Sequence, residues 1–429
     1  MIFPSEKIES FVAECRFSEA AALCEGVRPE CASIYALAGD ERALASIVEP
    51  ELVACRTAAD VASFYARRGR ELVSGDHLIA AVVLTWSADA SGAYDALRRA
   101  YDAALLEGLR HRAVGARERL AHHALLFGDV EIARSAIDDA LALAQRTGLT
   151  VWGRRCLAAA ARLALDAGDR DRTESLLAQA RSAAKSPEEL ALFAATGAQF
   201  AVELGDDAAM RQWTTDEVLD VALRSAECET AVAATLAGLI ASGAPSPGTP
   251  IAVALRRALL TADGAANRPE LFALAARYGD LDEARLGADA LAAVFAPNRA
   301  YLKAHHLLAR AHVLLRSGER AGWVDSAGDA ARAFNAMGLR RWTNDAMLLL
   351  VTPEPVTGRR QRGRPTSSAL TGREQQVAQL IRRGARNREV AIALQISEHT
   401  VERHVSSILG RLGLRSRWQI VDPRRQGEH

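Results

Sequence analysis

Apolar positions recur along most of this chain at steps of three and four residues, the repeat of one face of an α-helix. From Val130 to Leu141 they are Val130, Ile132, Ala133, Ala136, Ile137, Ala140 and Leu141. Just before Gly128 a second run carries Leu120, Ala121, Ala124, Leu125 and Phe127. The two-residue alternation of a half-buried strand is almost absent. The pattern predicts an all-α protein.

Short turns punctuate the helices. Gly-Asp pairs stand at Gly128-Asp129, Gly168-Asp169, Gly205-Asp206 and Gly279-Asp280, with a looser Gly318-Glu319. Successive glycines are separated by 40, 37, 74 and 39 residues. A degenerate turn at Ser242-Gly243 divides the long interval, and Ser91-Gly92 extends the series backwards. In each turn glycine ends one helix in a left-handed conformation, and aspartate caps the next through its carboxylate. The first residues of the chain also read as helical, with a turn at Gly39-Asp40. A helix-turn-helix unit at this interval is the mark of an α-solenoid, which stacks helix pairs and presents a concave surface. The array resembles the tetratricopeptide-repeat class. Residues 1–350 are therefore expected to form a TPR-like helical repeat domain that senses an effector or a partner.

The repeat pattern stops at Pro353 and Pro355, and residues 351–369 read as a linker. Composition sharpens the contrast across it. The chain is 49% hydrophobic, 25% charged and only 5% aromatic, as expected for packed Ala/Leu-rich helices. Its formal net charge is zero, yet residues 359–429 hold 15 Arg and 6 Asp or Glu, a balance of +9 that leaves −9 on the rest. A basic tail on an acidic body points to a polyanion partner. Within the linker, Arg362-Gly363-Arg364-Pro365 looks like an AT-hook core flanked by Arg359 and Arg360. Glycine lets such a segment lie deep in a narrow minor groove, where negative potential attracts arginine. The plainer alternative is nonspecific phosphate attraction by the same four arginines.

Several classes of function lack their residues. The lysines are Lys7, Lys185 and Lys303, and none follows a glycine-rich phosphate loop. Gly-x-Ser-x-Gly, His-Glu-x-x-His and dinucleotide fingerprints are absent, so neither an enzyme nor a cofactor is expected. His122-His123, His305-His306 and His312 have no acidic or cysteine ligand at short spacing, and no metal is expected. The six cysteines contain no Cys-x-x-Cys pair and fit reduced, buried thiols. No apolar run reaches membrane-spanning length and the first residues do not form a signal peptide, so a cytoplasmic location is expected.

The tail, residues 370–421, reads as three short helices and a fourth segment. Thr371 and Glu374 form a Thr-x-x-Glu capping box ahead of Val377, Leu380 and Ile381. Asn387 caps a second helix with Val390, Ala391 and Leu394 inward. Ser397 caps a third, with Val401, Val405, Ile408, Leu409 and Leu412 on its core face. Two helices joined by a few residues fit a helix-turn-helix unit. The strings Leu370-Thr371-x-Arg373-Glu374, Asn387-x-Glu389-Val390-Ala391, Ser397-Glu398-x-Thr400-Val401-x-x-His404-Val405 and Arg411-Leu412-Gly413 resemble the LuxR-type helix-turn-helix domain of bacterial transcription regulators.

That resemblance implies a four-helix fold whose third helix enters the major groove of double-stranded DNA. It places Thr400, His404 and Arg411 at phosphates, and Glu402, Arg403 and Ser406 at base edges. Ser407, where asparagine is common, joins the expected DNA-binding set. Glu402 stands where a basic residue is frequent. The resemblance also implies a protein partner such as RNA polymerase, location at the nucleoid, and a candidate homodimer contact through Ser416 to Val421. The expected function is a transcription regulator whose solenoid senses a protein, peptide or small molecule. The alternative is an interaction scaffold with only nonspecific DNA affinity. Residues 422–429 are expected to be a disordered tail.

Overall fold

The computed structural model describes residues 28–38, 46–67, 72–204, 269–278, 281–293, 299–318, 320–350, 372–382, 387–394 and 398–412, with isolated positions between 9 and 14 and at 20, 44, 69, 209, 212, 213 and 215. All regular structure among these residues is helical. The chain divides into two units, residues 1–350 and 351–429. Among the described residues, no helix is long and apolar enough to cross a membrane.

In the first unit, α1 (Arg28–Ala38), α2 (Pro50–Val53) and α3 (Ala58–Ala66) precede a run of long helices. These are α4 (Ser74–Trp86), α5 (Ala90–Leu106), α6 (Arg110–Phe127), α7 (Val130–Thr147), α8 (Thr150–Ala167), α9 (Arg170–Ala183) and α10 (Pro187–Leu204). A second run comprises α11 (Pro269–Tyr278), α12 (Leu281–Ala293), α13 (Ala300–Ser317), α14 (Arg320–Ala336) and α15 (Arg340–Leu350). Within each run every helix packs on the next, and α4, α6, α8 and α10 also touch one another in turn.

The punctuation is more regular than the sequence pattern suggests. Ala88, Gly108, Gly128, Gly148 and Gly168 have positive φ and stand twenty residues apart, and Gly318 and Gly338 repeat that interval. At Gly128 the amide of Gly128 donates to the Leu125 carbonyl (2.9 Å) and that of Asp129 to Ala124 (2.8 Å). This double bond is the Schellman closure, and it also ends α4, α5, α7, α8 and α14. The residue after the left-handed one alternates in kind. It is Asp89, Asp129 and Asp169 after α4, α6 and α8, but Leu109, Leu149 and Leu339 after α5, α7 and α14. An aspartate can turn the chain tightly into its hairpin partner, whereas a leucine folds back on the apolar end of the helix it follows.

Two expectations at these turns change. Gly92 is not a turn residue: it lies in the first turn of α5, where its amide donates to Asp89. The turn is made by Ala88 at φ 61°, a conformation glycine adopts at lower cost. Asp169 caps α9 as expected, accepting from the Arg172 amide at 3.2 Å. Asp129 does not cap α7, because its carboxylate accepts from the Tyr94 hydroxyl of α5 at 2.5 Å. The expected turns at Gly39, Gly205, Gly243 and Gly279 lie outside the described residues.

Alanine sets the helix spacing. Ala100, Ala104, Ala124, Ala136 and Ala140 are fully or almost fully buried, and small side chains let neighbouring axes approach closely. Gly115 on α6 carries this furthest. A Cβ there would lie 2.7 Å from the Trp152 ring and closer still to Leu37 of α1. Trp152 and Trp342 are completely buried. Cys55 and Cys156 are buried free thiols.

The row formed by α4, α6 and α8 does not present a bare surface. The chain covers it with its own parts: α1 packs on α4 and α6, α13 on α6, and α15 on α8. Glu9 reaches Arg112 and His111 of α6, and the Trp152 indole donates to the Val12 carbonyl at 3.2 Å. The contact of α13 and α15 with α8 is polar at its centre. Asp166, buried to 1% exposure, accepts from the Trp342 indole (2.8 Å), Arg341 (3.2 Å) and the Tyr301 hydroxyl (3.2 Å). Arg341 also donates to Gln199 of α10 at 2.8 Å, and Arg162 of α8 donates to Glu270 of α11 at 3.3 Å. Burial pushes the Asp166 carboxyl up, partly opposed by Arg341 and reinforced by Glu270.

Buried histidines line the same contact. His305 lies among the rings of Tyr301 (4.4 Å), Trp342 (4.6 Å) and Phe334 (4.8 Å), and neither ring nitrogen has a hydrogen-bond partner among the described residues. His123 Nδ1 lies 2.5 Å from the Thr85 hydroxyl, while Arg299 donates to the Thr85 carbonyl at 3.2 Å. Desolvation holds His123, His305 and His312 down to a pKa of about 3.

Candidate nucleic-acid interface

The second unit contains α16 (Gly372–Arg382), α17 (Asn387–Leu394) and α18 (Glu398–Leu412). The pairs α16 with α18, α17 with α18, and α16 with α17 all pack together. Their core is Val377, Ala378, Ile381, Val390, Ala391, Val401, Val405 and Ile408, with Leu380, Leu394 and Leu409 partly buried against it. The expected inward residues thus lie in or against this core. Ala378 is an addition that periodicity alone passed over. Leu412 is on α18, with only its backbone described, and Thr371, Ser397, Gly413 and the fourth segment lie outside the described residues.

Val401, Val405 and Ile408 follow steps of four and three, so one stripe of α18 faces the core and the opposite stripe faces away from it. Glu402, Arg403 and Ser406 are exposed on that outer side. At about 100° per residue these three positions span roughly 100° of helix surface, narrow enough to enter one groove together. Thr400, His404 and Ser407 are half-buried at its margins. Arg411 lies on the last turn of α18, described by its backbone. The linker arginines Arg359, Arg360, Arg362 and Arg364 lie outside the described residues.

The chemistry of the exposed face is specific. Arg403 offers a fork of donors that can take O6 and N7 of one guanine, Glu402 can accept from cytosine N4, and the Ser406 hydroxyl can do either. Ser407 behaves differently. Its Oγ lies 2.5 Å from Glu374 Oε1 on α16, and Glu374 is only 4% exposed. The sequence flagged Glu374 as a capping residue but gave no sign that it meets α18.

Residues 368–423 match the family described as bacterial regulatory proteins of the luxR family. They form a LuxR-family helix-turn-helix domain. In addition, a helix-turn-helix-type transcriptional regulator of Mycobacterium bovis and two of Mycobacterium tuberculosis are each 36% identical to the chain over 89 residues. That stretch is 19% of this chain and 10% of each relative, so the match spans about a tenth of the relatives' length. In this domain α17 and α18 are consecutive helices packed on one another and on α16.

Proposed function

We propose that the chain is a sequence-specific transcription regulator whose α18 reads the major groove, governed by a TPR-like helical body. The observation that carries this reading is the LuxR-type domain with Glu402, Arg403 and Ser406 exposed together on its third helix. Thr400 and His404 flank that face and, with Arg411 on the last turn of α18, supply phosphate contacts. Arg359, Arg360, Arg362 and Arg364 add affinity from the linker, where each neutralised phosphate steepens the salt dependence of binding. For the body, support comes from the left-handed caps at twenty-residue intervals and their alternating Asp and Leu. In this reading the body is the regulatory unit, responding to a protein, peptide or small molecule.

The test is selection of genome-derived DNA fragments by the full-length chain, followed by titration of the enriched fragment at several salt concentrations. A reproducible site, bound at least about a hundredfold more tightly than scrambled duplex, is expected for sequence-specific recognition. Binding without any enriched fragment would leave only nonspecific affinity and overturn the reading.

A further inference from the structure

We infer that Ser407 is a positioning residue: it fixes the rotation of the recognition helix through Glu374 and does not itself bind DNA. The inference rests on the DNA-binding reading above and deepens it. Ser407 Oγ and Glu374 Oε1 are 2.5 Å apart, joining two helices through residues 33 apart in sequence. The Ser407 hydroxyl is the donor and the Glu374 carboxyl oxygen the acceptor.

This bond uses the only proton Ser407 has. A phosphate oxygen needs a donor, and a serine hydroxyl has one. While the tie to Glu374 holds, Ser407 has only lone pairs left, which a phosphate cannot use. Position therefore separates it from Ser406, which is exposed and uncommitted to the core.

The tie also supplies a direction that the apolar contacts lack. Val401, Val405 and Ile408 bury one side of α18, but apolar packing is non-directional and tolerates a small rotation. A short hydrogen bond to a buried acceptor does not. Ser407 lies one helical turn after Arg403 and beside Ser406, so a rotation at Ser407 carries both exposed groups with it. Glu374 sits in the first turn of α16, where the helix dipole favours a carboxylate. It is therefore a fixed anchor for α18.

The experiment uses the full-length chain with Ser407→Ala, Ser407→Thr, Glu374→Ala and the Ser407→Ala/Glu374→Ala pair. Affinity is measured by fluorescence anisotropy for the enriched genomic fragment and for scrambled duplex, over a range of salt. Ser407→Ala is expected to weaken the enriched fragment about tenfold, leave scrambled duplex within about twofold, and keep the salt slope. Ser407→Thr, which retains the hydroxyl, is expected to restore most of the preference. The double variant is expected to be no worse than Glu374→Ala alone, since both remove one bond. Equal losses on both duplexes, with a slope reduced by about one, would make Ser407 a phosphate contact and overturn the inference. A site preference that survives Ser407→Ala would overturn it alone, whereas no preference in the unsubstituted chain would overturn the DNA-reading itself.

Discussion

Replacing Asp166 tests whether the polar centre of the α8–α13–α15 contact holds the body together. Asp166→Ala removes the acceptor of three hydrogen bonds, from Trp342, Arg341 and Tyr301. The Trp342 indole is then a buried donor without that acceptor, which costs about 1–3 kcal/mol. The Arg341 side chain, 11% exposed, loses the Asp166 carboxylate and keeps Gln199. Breaking a buried pair on one side costs about 3–5 kcal/mol. The raised Asp166 pKa shows that its charge is itself costly here, which sets the expected loss near the low end, about 3 kcal/mol. Asp166→Asn keeps an acceptor for Trp342 and Arg341 and removes the charge, so it should cost about 1 kcal/mol. The assay is urea unfolding of the full-length chain, followed by tryptophan fluorescence with Trp342 beside the substitution. Losses below about 1 kcal/mol for both variants would refute the reasoning. Equal large losses would show that charge, rather than hydrogen bonding, is the main contribution.

Further outcomes are expected from acid, a turn and the recognition face. Buried neutral histidines have folded pKa values below their unfolded ones, so unfolding takes up protons and stability falls as pH drops below about 6.5. With His123, His305 and His312 held near 3, moving from pH 6.5 to pH 5 should remove up to about 2 kcal/mol for each, read as a shift in the urea midpoint. His305→Phe should reduce that pH dependence by about a third, and an unchanged slope would count against it. Ala88→Gly should raise stability by about 0.5–1 kcal/mol, because Ala88 holds φ 61° without glycine's freedom; no gain in a thermal melt would mean Ala88 is unstrained. Arg403→Ala should cost about 1–3 kcal/mol at one base position, measured on single-base variants of the enriched fragment; a uniform loss would make Arg403 a phosphate contact.

What could be read from the sequence was set by distance along the chain. The core of α16 to α18 was legible, because caps and three-four periodicity are local, and Val377, Val390, Val401 and Ile408 are all buried. The Gly-Asp turns at Gly128 and Gly168 were legible too, but aspartate after glycine marks only every second turn. Gly108, Gly148 and Gly338 precede leucine, and Ala88 is not glycine, so these turns carry no such mark. The covering of α6 and α8 was invisible. Asp166 and Trp342 are 176 residues apart, and nothing in the local pattern of α15 names the helix it meets. In the sequence Ser407 stands out only as a departure from a family pattern, and Glu374 only as a cap. Only the packed domain shows that they meet.

The twenty-residue interval between left-handed caps gives the run from α4 to α9 a parity. Removing or adding about forty residues there, one whole hairpin, returns aspartate and leucine to the same kind of turn. Removing about twenty exchanges them, with aspartate where an apolar fold-back is required and leucine where a tight hairpin is required. The turns of this run thus tolerate a change of length only in pairs of helices, while the packing of α13 on α6 and of α15 on α8 holds its overall length.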